Sequence, residues 1–465
     1  MKNRPDIITR IPFFSISRHR ATARIALALL LCAAVAAAAA SCQRFKKLTG
    51  VDSKKQGAVI KIISPHHEGI RKEMQAGFEK WYKDKHGADM AVEWVESGGA
   101  SNDLKFILSS FEKKPDGIGL DLFYGGGSDR YIELAAKGLL QPCKPPREIV
   151  SQIPADLKGA PLYDPEGRWY GVSLGAFGIL VNKQIVKAQN LPEVKTWADL
   201  ADPRLQGWIE LSDPRQSSSA HAIFEILLQR YGWRQGWILL GKIISNCRAL
   251  PGSSGQVPQD VAAGQIAYGL TLVSYAYSSI EEHGADKLGF TMPEDATAVT
   301  PDPIAVLKGA PNAEAACEFV NFSLTEQGQK LWILKKGAPG GPSEFSINTM
   351  AILPSVYESL NSANTVVALN PYKMPQIIRY DSAKGAARLN LVDELAGAMY
   401  IEPLQALAAA RKALGAAATD DLFAPPLSEA QAMSLAAGGW NDPVQKDAAI
   451  TQWKSAAAAR YRKPR

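Results

Sequence analysis

Short apolar strands alternate with amphipathic helices through the body of the chain, and this alternation restricts the fold more than any other feature of the sequence. Residues 58–63, 90–95 and 120–124 are runs rich in apolar, β-branched or aromatic side chains, which predicts strands. Between them, apolar residues recur at helical spacing over 70–81 and 104–111. Strands and helices in this order form βαβ units on a parallel sheet. The predicted fold class is therefore α/β.

A second α/β lobe is predicted over residues 171–297. Within it, residues 207–211 and 266–273 have the composition of strands. The segments 170–181 and 297–306 are extended in pattern and contain Gly or Pro, which suits a hinge better than a core element. The sequence therefore predicts two hinge crossings between two lobes.

The remaining residues are divided between the first lobe and a tail. Residues 57–170 and 306–415 are assigned to the first lobe, because the apolar spacing after residue 312 predicts helices that pack on it. Residues 416–465 contain few large apolar side chains, which predicts a loosely packed tail with a helix. The segment predicts nothing about chemistry.

The N-terminus has the pattern of an export signal. Basic residues from Arg18 to Arg24 precede an apolar run of 16 residues, Ile25–Ala40, which is shorter than the roughly 20 needed for a membrane-spanning helix. Ala39-Ala40-Ser41-Cys42 resembles a bacterial lipobox. We expect residues 1–41 to be a signal peptide and Cys42 to be lipidated, with plain secretion as the alternative. The predicted location is the periplasm or cell envelope, with attachment to the membrane through the lipid.

The charge of the chain argues against a nucleic-acid partner. The formal net charge is +6, but residues 1–41 hold six basic side chains against one acidic one. The body of the protein is therefore almost neutral, whereas nucleic-acid binding requires a basic surface.

The cysteines predict neither a metal site nor a disulfide framework. Beyond Cys42 the chain has only Cys143, Cys247 and Cys317, at spacings that fit no zinc motif and allow at most one disulfide. Cysteines of this kind act most often as small buried apolar residues.

Polar and glycine-rich loops follow the three strands of the first lobe. They cover residues 64–68, 97–101 and 125–128, and all lie at the carboxyl edge of the predicted sheet, where ligands bind in α/β folds. Two of them precede helices, so backbone N–H groups and helix dipoles face an anion there. A tight turn is the alternative for Gly125–Gly127. In the second lobe, Ser217–Ser219 offer three hydroxyls where capping a helix needs one.

Several motifs occur in a fixed order between residues 58 and 355. They are Ile63-Ser-Pro-His-His-Glu68, Asp121-Leu-Phe-Tyr-Gly-Gly-Gly127, Arg168-Trp-Tyr-Gly-Val172, Asp202-Pro-Arg-Leu-Gln-Gly-Trp208, Asp213-Pro-Arg215, Ala263-Gly-Gln-Ile-Ala-Tyr-Gly269 and Phe319-Val-Asn-Phe-Ser-Leu-Thr-Glu-Gln-Gly-Gln329. In this set the chain resembles the ferric-iron-type extracellular solute-binding proteins of ABC importers. The resemblance implies a two-lobed type 2 periplasmic-binding-protein fold, extended here by C-terminal helices. It also implies a monomer that closes over a ligand and delivers it to a membrane permease.

The resemblance leaves the ligand open between iron and an organic anion. Iron-binding members use a His after the first strand, a carboxylate after the third and two adjacent tyrosines. His67 matches the His, but Gly125–Gly127 occupy the position of the carboxylate, and Ser274–Tyr277 replaces the tyrosine pair. Ferric iron requires several anionic oxygens. A small organic anion, such as a sugar phosphate or phosphonate, is therefore expected. Iron held by His67, Tyr275 and Tyr277 is the alternative ligand, and a ligand sensor for a membrane receptor is the alternative role.

The predicted ligand-binding residues come from both lobes. They are His66, His67, Ser101, Gly126, Gly127, Ser128, Ser217, Ser218, Ser219 and Tyr275. For the histidines the alternative is loop solvation, and for Tyr277 it is core packing. We expect no resident cofactor. A hydrolase that pairs one of Ser217–Ser219 with His221 is disfavoured, because neighbours in sequence rarely place a nucleophile and its base in reach and no nucleophile-elbow motif occurs there.

Overall fold

The computed structural model describes residues 59–462 except Ser362, Val366 and Ala368. The predicted signal peptide and the lipidation site at Cys42 lie outside these residues. Among the helices that the structure describes, none has the length and apolar character needed to cross a membrane.

The first lobe opens with the predicted alternation of strands and helices. Its elements are β1 Val59–Ile63, α1 Glu68–His86, β2 Ala91–Val95, α2 Ala100–Lys113, β3 Leu122–Tyr124, α3 Ser128–Ala136, β4 Leu140–Gln141, α4 Arg147–Val150, β5 Asp156–Leu157 and β6 Ala160–Pro161. β1 pairs in parallel with both β2 and β3, and β5 pairs with β6 in a separate hairpin. The carboxyl ends of β1, β2 and β3 therefore share one sheet edge, as predicted.

The second lobe lies between two long strands. The elements from the outgoing to the returning strand are β7 Tyr170–Asn182, α5 Lys183–Ala188, β8 Ile209–Glu210, α6 Ser218–Tyr231, α7 Trp233–Ile244, β9 Cys247–Ala249, α8 Gln256–Ala262, β10 Tyr268–Leu272, α9 Val273–His283, β11 Leu288–Thr291 and β12 Val299–Leu307. The first lobe then resumes with α10 Ala313–Leu324, α11 Glu326–Ile333 and β13 Met350–Ala351. Short 3₁₀ turns lie at Ala198–Ala201, Pro203–Leu205, Pro354–Glu358 and Pro371–Lys373.

Strands β7 and β12 are the two hinge crossings. The first half of β7 pairs with β12 and β13, and its second half pairs with β10 and β11. The sheet order β2-β1-β3-β12-β7-β10-β8-β9 therefore runs from one lobe to the other. This is the two-lobed type 2 periplasmic-binding-protein fold, so the predicted α/β fold class is confirmed.

The centre of β12 is irregular. Its register with β7 shifts between Asp302 and Pro303, and Pro301 stands on the other side of the aspartate. Proline cannot donate to a sheet ladder, and such irregularities re-aim the neighbouring side chains. Asp302 consequently faces the space between the lobes.

The C-terminal segment, defined here as Ser382–Tyr461, corrects two of the predicted boundaries. It consists of α12 Ser382–Ala396, a π-helical turn Gly397–Ile401, α13 Leu404–Leu414, two 3₁₀ turns Gly415–Ala417 and Asp420–Leu422, α14 Glu429–Ser434, a second π-helical turn Leu435–Gly439 and α15 Pro443–Tyr461. Its buried side chains join the core of the second lobe, so the assignment of all of 306–415 to the first lobe is wrong. Apolar spacing identifies a buried helix face but does not specify which core that face meets.

The prediction of a loosely packed tail over 416–465 is also wrong. Asp442 caps α15 by accepting a hydrogen bond from Val444 N, and Pro443 occupies the first turn, where its missing N–H is harmless. Trp453 is buried and stacks on Trp440 with 5.7 Å between ring centroids. The few large side chains of this region are therefore concentrated at its interface with the core.

The three cysteines of the body are free thiols. Cys143 and Cys247 are buried, and Cys317 is half-buried.

Replacing Trp453 with Ala tests whether this tail is an integral part of the fold. We expect Trp453→Ala to lower the free energy of unfolding by about 3–5 kcal/mol, because it leaves a cavity beneath α15. The neighbouring exposed Gln452→Ala is the matched control and is expected to change the free energy by less than about 0.5 kcal/mol. Urea denaturation followed by circular dichroism measures both. Equal urea-denaturation midpoints for the two variants would show that residues 416–465 are a loosely packed tail.

Candidate functional site

A cavity of about 430 Å³ lies between the two lobes. The first lobe contributes residues 64–67 after β1, 98–100 before α2 and 126–127 before α3. The second lobe contributes residues 216–219 at the start of α6 and 252–255 before α8. Residues 300–302 of the crossing strand β12 complete its wall. The loops predicted from the sequence therefore face one shared space.

The two lobes touch across this cavity. A Cβ built on Gly99 of the first lobe would come within 2.7 Å of the Gln216 backbone oxygen of the second. Gly99 also has a φ of +132°, a conformation that side-chain-bearing residues rarely adopt. Elsewhere the rings of His67 and Tyr275 lie 5.9 Å apart, centroid to centroid. The structure thus shows the lobes in a closed arrangement.

His66, Asp302 and Gly126 form one connected group at the cavity wall. The Nε2 of His66 lies 2.6 Å from Asp302 Oδ2, and the Gly126 N–H donates to Asp302 Oδ1 at 2.9 Å. The glycine loop that follows β3 is thereby connected to the hinge strand β12. Gly126 lines the cavity as predicted, but its N–H has a protein partner.

Helix starts surround much of the remaining cavity. Helices α2 and α3 begin after Gly99 and Gly127, neither of which can offer a side-chain cap. The first N–H groups of a helix lack partners within the helix, and the helix dipole adds partial positive charge there. Gly127 additionally has open space where a Cβ would stand. These two helix starts are suited to an anion.

The serines before α6 add hydroxyl groups on the opposite wall. Ser217 caps α6 by accepting from Ala220 N, and its hydroxyl also contacts the hydroxyl of Ser254. Ser218 and Ser219 line the cavity, and their hydroxyls make no hydrogen bond in the part of the chain that the structure describes. Ser217 therefore has a structural role, while its two neighbours are available to a ligand.

His67 is held as a neutral imidazole. Burial, then the charges of His66 and Arg71, lower the pKa of His67 from 6.5 to about 4. Arg71 in turn forms an ion pair with Glu96, and both line the cavity. At neutral pH His67 offers a hydrogen bond to a ligand rather than a positive charge.

Tyr275 is likewise neutral. Burial, then the charge of Asp302, raises the pKa of its phenol to about 12. A phenol with a raised pKa donates hydrogen bonds to an anion but does not readily become a phenolate ligand for a metal.

Two of the predicted ligand-binding residues, Ser101 and Ser128, lie outside the cavity lining. Ser101 is buried and accepts a hydrogen bond from Arg130 Nη2 at 2.7 Å. Ser128 is buried, and its hydroxyl lies 3.5 Å from Asp129 Oδ1. Arg130, buried behind the loop, also donates to the Gly126 carbonyl at 2.9 Å. The prediction that Ser101 and Ser128 line the ligand site is therefore wrong for the structure described.

Tyr277, a candidate only for the iron alternative, also lies outside the lining. It packs against Phe290 with 5.8 Å between ring centroids, in agreement with core packing. Within the described residues no group of three or more His, Cys, Asp or Glu side chains is placed to hold a metal ion.

Several residues of the cavity lining were not predicted from the sequence. They are Arg71, Glu96, Gln216, Ser253, Ser254, Thr300 and Asp302. The sequence also predicted that no carboxylate lies at the Gly125–Gly127 loop. Asp302 of β12 places one there. The Pro-Asp-Pro sequence at residues 301–303 was the available signal, since a polar residue between prolines in a crossing strand is aimed away from the ladder.

Comparison with known proteins gives a family match for the middle of the chain. Residues 118–349 match the model of a family described as bacterial extracellular solute-binding protein. The phosphoglycerate transport regulatory protein PgtC of Salmonella typhimurium is 31% identical over 160 residues, which are 34% of this chain and 39% of that protein. The chain thus matches about two-fifths of the length of this relative.

Solved structures share the fold at low identity. AfuA of Actinobacillus pleuropneumoniae, a periplasmic binding protein with fructose-6-phosphate bound, is 20% identical with a TM-score of 0.61, covering 74% of this chain and 98% of its own. A ferric binding protein from Campylobacter jejuni is 18% identical with a TM-score of 0.55, covering 72% of this chain and 96% of its own. Identities at this level support a common fold.

The lowered pKa of His67 predicts a dependence of stability on pH. The unfolded chain binds a proton at His67 near pH 6.5, whereas the folded chain does so only near pH 4. The stability that neutral His67 contributes is therefore present above pH 6.5 and is lost as the pH falls towards 4. We expect His67→Gln to reduce the loss of stability between these pH values, measured by urea denaturation.

The exposed His283→Gln is the control for this experiment, and it should leave the pH dependence as in the unaltered protein. If the stability of His67→Gln falls with decreasing pH as steeply as that of the control, His67 does not have the lowered pKa described above.

Proposed function

We propose that this chain, whose residues 118–349 match the bacterial extracellular solute-binding protein family, captures a small phosphorylated organic solute in the cleft between its lobes. The solute is delivered to the permease of an ABC importer. The protein acts as a monomeric binding component and not as an enzyme. It works in the periplasm or at the cell envelope, where Cys42 provides the lipid anchor.

The arrangement of donors around one cavity carries this proposal. The starts of α2 and α3 have no side-chain cap, and the hydroxyls of Ser218 and Ser219 stand on the opposite wall. Backbone N–H groups at helix starts and hydroxyls are the groups that bind phosphate in proteins. Donors from both lobes converge on the same volume, which supports a ligand that bridges them.

The size and the second wall of the cavity support an organic solute. A volume of about 430 Å³ lies within the usual range for small-molecule sites, which is about 300–1,000 Å³. Asp302 and Glu96 add carboxylate acceptors, and Arg71 adds a donor. These groups suit the hydroxyls of a sugar phosphate or phosphorylated hydroxy acid. The names of PgtC and AfuA, which refer to phosphoglycerate transport and fructose-6-phosphate, agree with this ligand class.

Iron is the less supported ligand. Tyr277 packs on Phe290, and both oxygens of Asp302 already have protein partners in His66 and Gly126. A hard trivalent cation requires several anionic oxygens that are free to coordinate it.

Closure of the lobes is the proposed mechanism. A ligand that contacts both lobes binds the closed arrangement more tightly than the open one, and its differential affinity shifts the population. Strands β7 and β12 are the segments that bend, because they run side by side from one lobe to the other.

Binding measurements on a double variant test the proposed ligand class. Isothermal titration with fructose 6-phosphate and 3-phosphoglycerate is expected to show binding, while fructose, glycerate and ferric citrate bind far more weakly. Ser218→Ala combined with Ser219→Ala should weaken phosphate-ester binding by about tenfold for each hydroxyl that meets the charged group.

Ser455→Ala removes an exposed hydroxyl on α15 and is the matched control, with no expected change in affinity. A coloured protein that retains ferric iron and ignores both phosphate esters would reject the proposed ligand class. Equal affinity of the double variant and the control would reject the proposed role of the serines.

A further inference from the structure

The C-terminal segment contacts both lobes, although its core belongs to the second. Residues 382–461 lie beyond the part of the chain that matches the family. Their apolar side chains pack in the second-lobe core with those of α6 and α7. Helix α12 also lies against α3, which belongs to the first lobe. The segment is therefore placed to affect how the lobes move relative to each other.

The contact with the first lobe centres on Asp129, in the first turn of α3. The hydroxyl of Tyr380, just before the segment, donates to Asp129 Oδ2 at 2.8 Å. A Cβ built on Gly385 of α12 would come within 2.5 Å of the same oxygen and 3.0 Å of the Tyr380 hydroxyl. Tyr380 and α12 thus pack against α3 so closely that the space for a methyl group is missing.

The contact with the second lobe centres on His221 in α6. His221 Nδ1 lies 2.7 Å from Asp393 Oδ1 of α12, and Asp129 Oδ2 approaches the other ring nitrogen to 3.9 Å. One turn further along α6, Glu225 accepts two hydrogen bonds from Arg388 of α12, at 2.9 and 2.8 Å. All five side chains are buried.

These buried groups form one interlobe polar network, defined as Asp129 and Arg130 of α3, His221 and Glu225 of α6, and Tyr380, Arg388 and Asp393. Its acidic and basic side chains are balanced, three of each. Burial disfavours the imidazolium of His221, but the charge and the hydrogen bond of Asp393 outweigh this and raise its pKa. Each buried charge therefore has groups of opposite sign beside it, so removing one partner would leave an uncompensated buried charge.

The network lies directly behind the proposed ligand loops. Asp129 follows the cavity residue Gly127 by two positions, and His221 follows Ser219 by two. Arg130 donates to the carbonyl of Gly126. Separation of the lobes would move α3 away from Tyr380 and α12 and leave Asp129 without its partners. Opening would exchange the Tyr380 hydrogen bond to Asp129 for hydrogen bonds to water, and this exchange favours the closed arrangement by the net contribution of a hydrogen bond to a charged group.

We propose that the C-terminal segment is a latch that stabilises the closed arrangement of the lobes, with Tyr380 and α12 joined to Asp129 as its interlobe contact. Tyr380, Asp129 and His221 are positioning residues, since they act on the ligand loops and do not line the cavity. The consequence for solute capture rests on the proposed function, but the latch itself operates without a ligand.

Distance measurements in the ligand-free protein test the latch. Lys113→Cys on the first lobe and Lys187→Cys on the second are exposed positions for spin labels. The full chain also carries Cys32→Ser, Cys42→Ser and Cys317→Ser, so that of its five native cysteines only the buried Cys143 and Cys247 remain. Double electron–electron resonance then reports the distribution of interlobe distances. We expect one dominant short distance with the latch intact.

Tyr380→Phe removes only the hydroxyl that crosses the lobes. It should shift the ratio of closed to open molecules by about tenfold towards open, as expected for a hydrogen bond to a charged group. Tyr461→Phe is the matched control, because the Tyr461 hydroxyl donates to Met399 O within the segment at 2.9 Å. That variant should keep the distance distribution of the unaltered protein.

Gly385→Ala gives a second and independent test. Alanine has a higher helix propensity than glycine, so α12 itself is not weakened, but the added methyl forces α12 away from Asp129. We expect the same shift towards longer distances. Distributions for Tyr380→Phe and Gly385→Ala that coincide with those of Tyr461→Phe would overturn the latch, as would a predominantly open unaltered protein. Because no ligand is present, either result is independent of the solute-binding measurements.

Discussion

The antiparallel pairing of β7 with β12 is the interaction on which the two-lobed structure depends. The register from Val299 opposite Ala176 to Ile304 opposite Tyr170 keeps backbone groups paired at the narrow passage between the lobes, where they would otherwise be unsatisfied. The same passage contains Pro301 and Pro303, and the resulting irregularity turns Asp302 towards the cavity. Strand β12 is therefore both part of the hinge and a wall of the cleft. Bending of the hinge consequently changes the shape of the cleft.

The cleft has two chemically different sides. The starts of α2 and α3, with Ser218 and Ser219, provide donors, whereas Asp302 and Glu96 provide acceptors. The acceptors are partly compensated, since Asp302 is paired with His66 and Glu96 with Arg71. A bare cation consequently meets carboxylates that are already engaged. A molecule with an anionic group at one end and hydroxyls at the other matches both sides without breaking either pair.

The fold was predictable from local patterns to a greater extent than the site was. The strands at β1, β2, β3 and the crossings β7 and β12 are encoded in short runs of sequence, and their common edge follows from parallel pairing. Ser101 was misassigned because Arg130, which is distant in sequence, donates a hydrogen bond to its hydroxyl. Ser128 was misassigned because its side chain is buried outside the cavity lining. Asp302 was missed because it reaches the Gly126 loop from a strand 176 residues further along the chain. The amphipathic C-terminal helices signalled burial, but nothing local distinguishes one core from another.

Under the proposed function, the proposed latch would change what a permease partner must do. When the lobes close before the solute arrives, less of the ligand's binding free energy is consumed by closure, so its apparent affinity is higher. Release then requires the opposite shift, and only a partner that binds the open arrangement more tightly can produce it. The partners of Asp129 are held by the second lobe and the C-terminal segment, so a permease that draws α3 away from α12 would open the cleft and withdraw the Gly126–Gly127 loop together. In this proposal, opening of the cleft and withdrawal of the proposed anion-binding loop are the same movement.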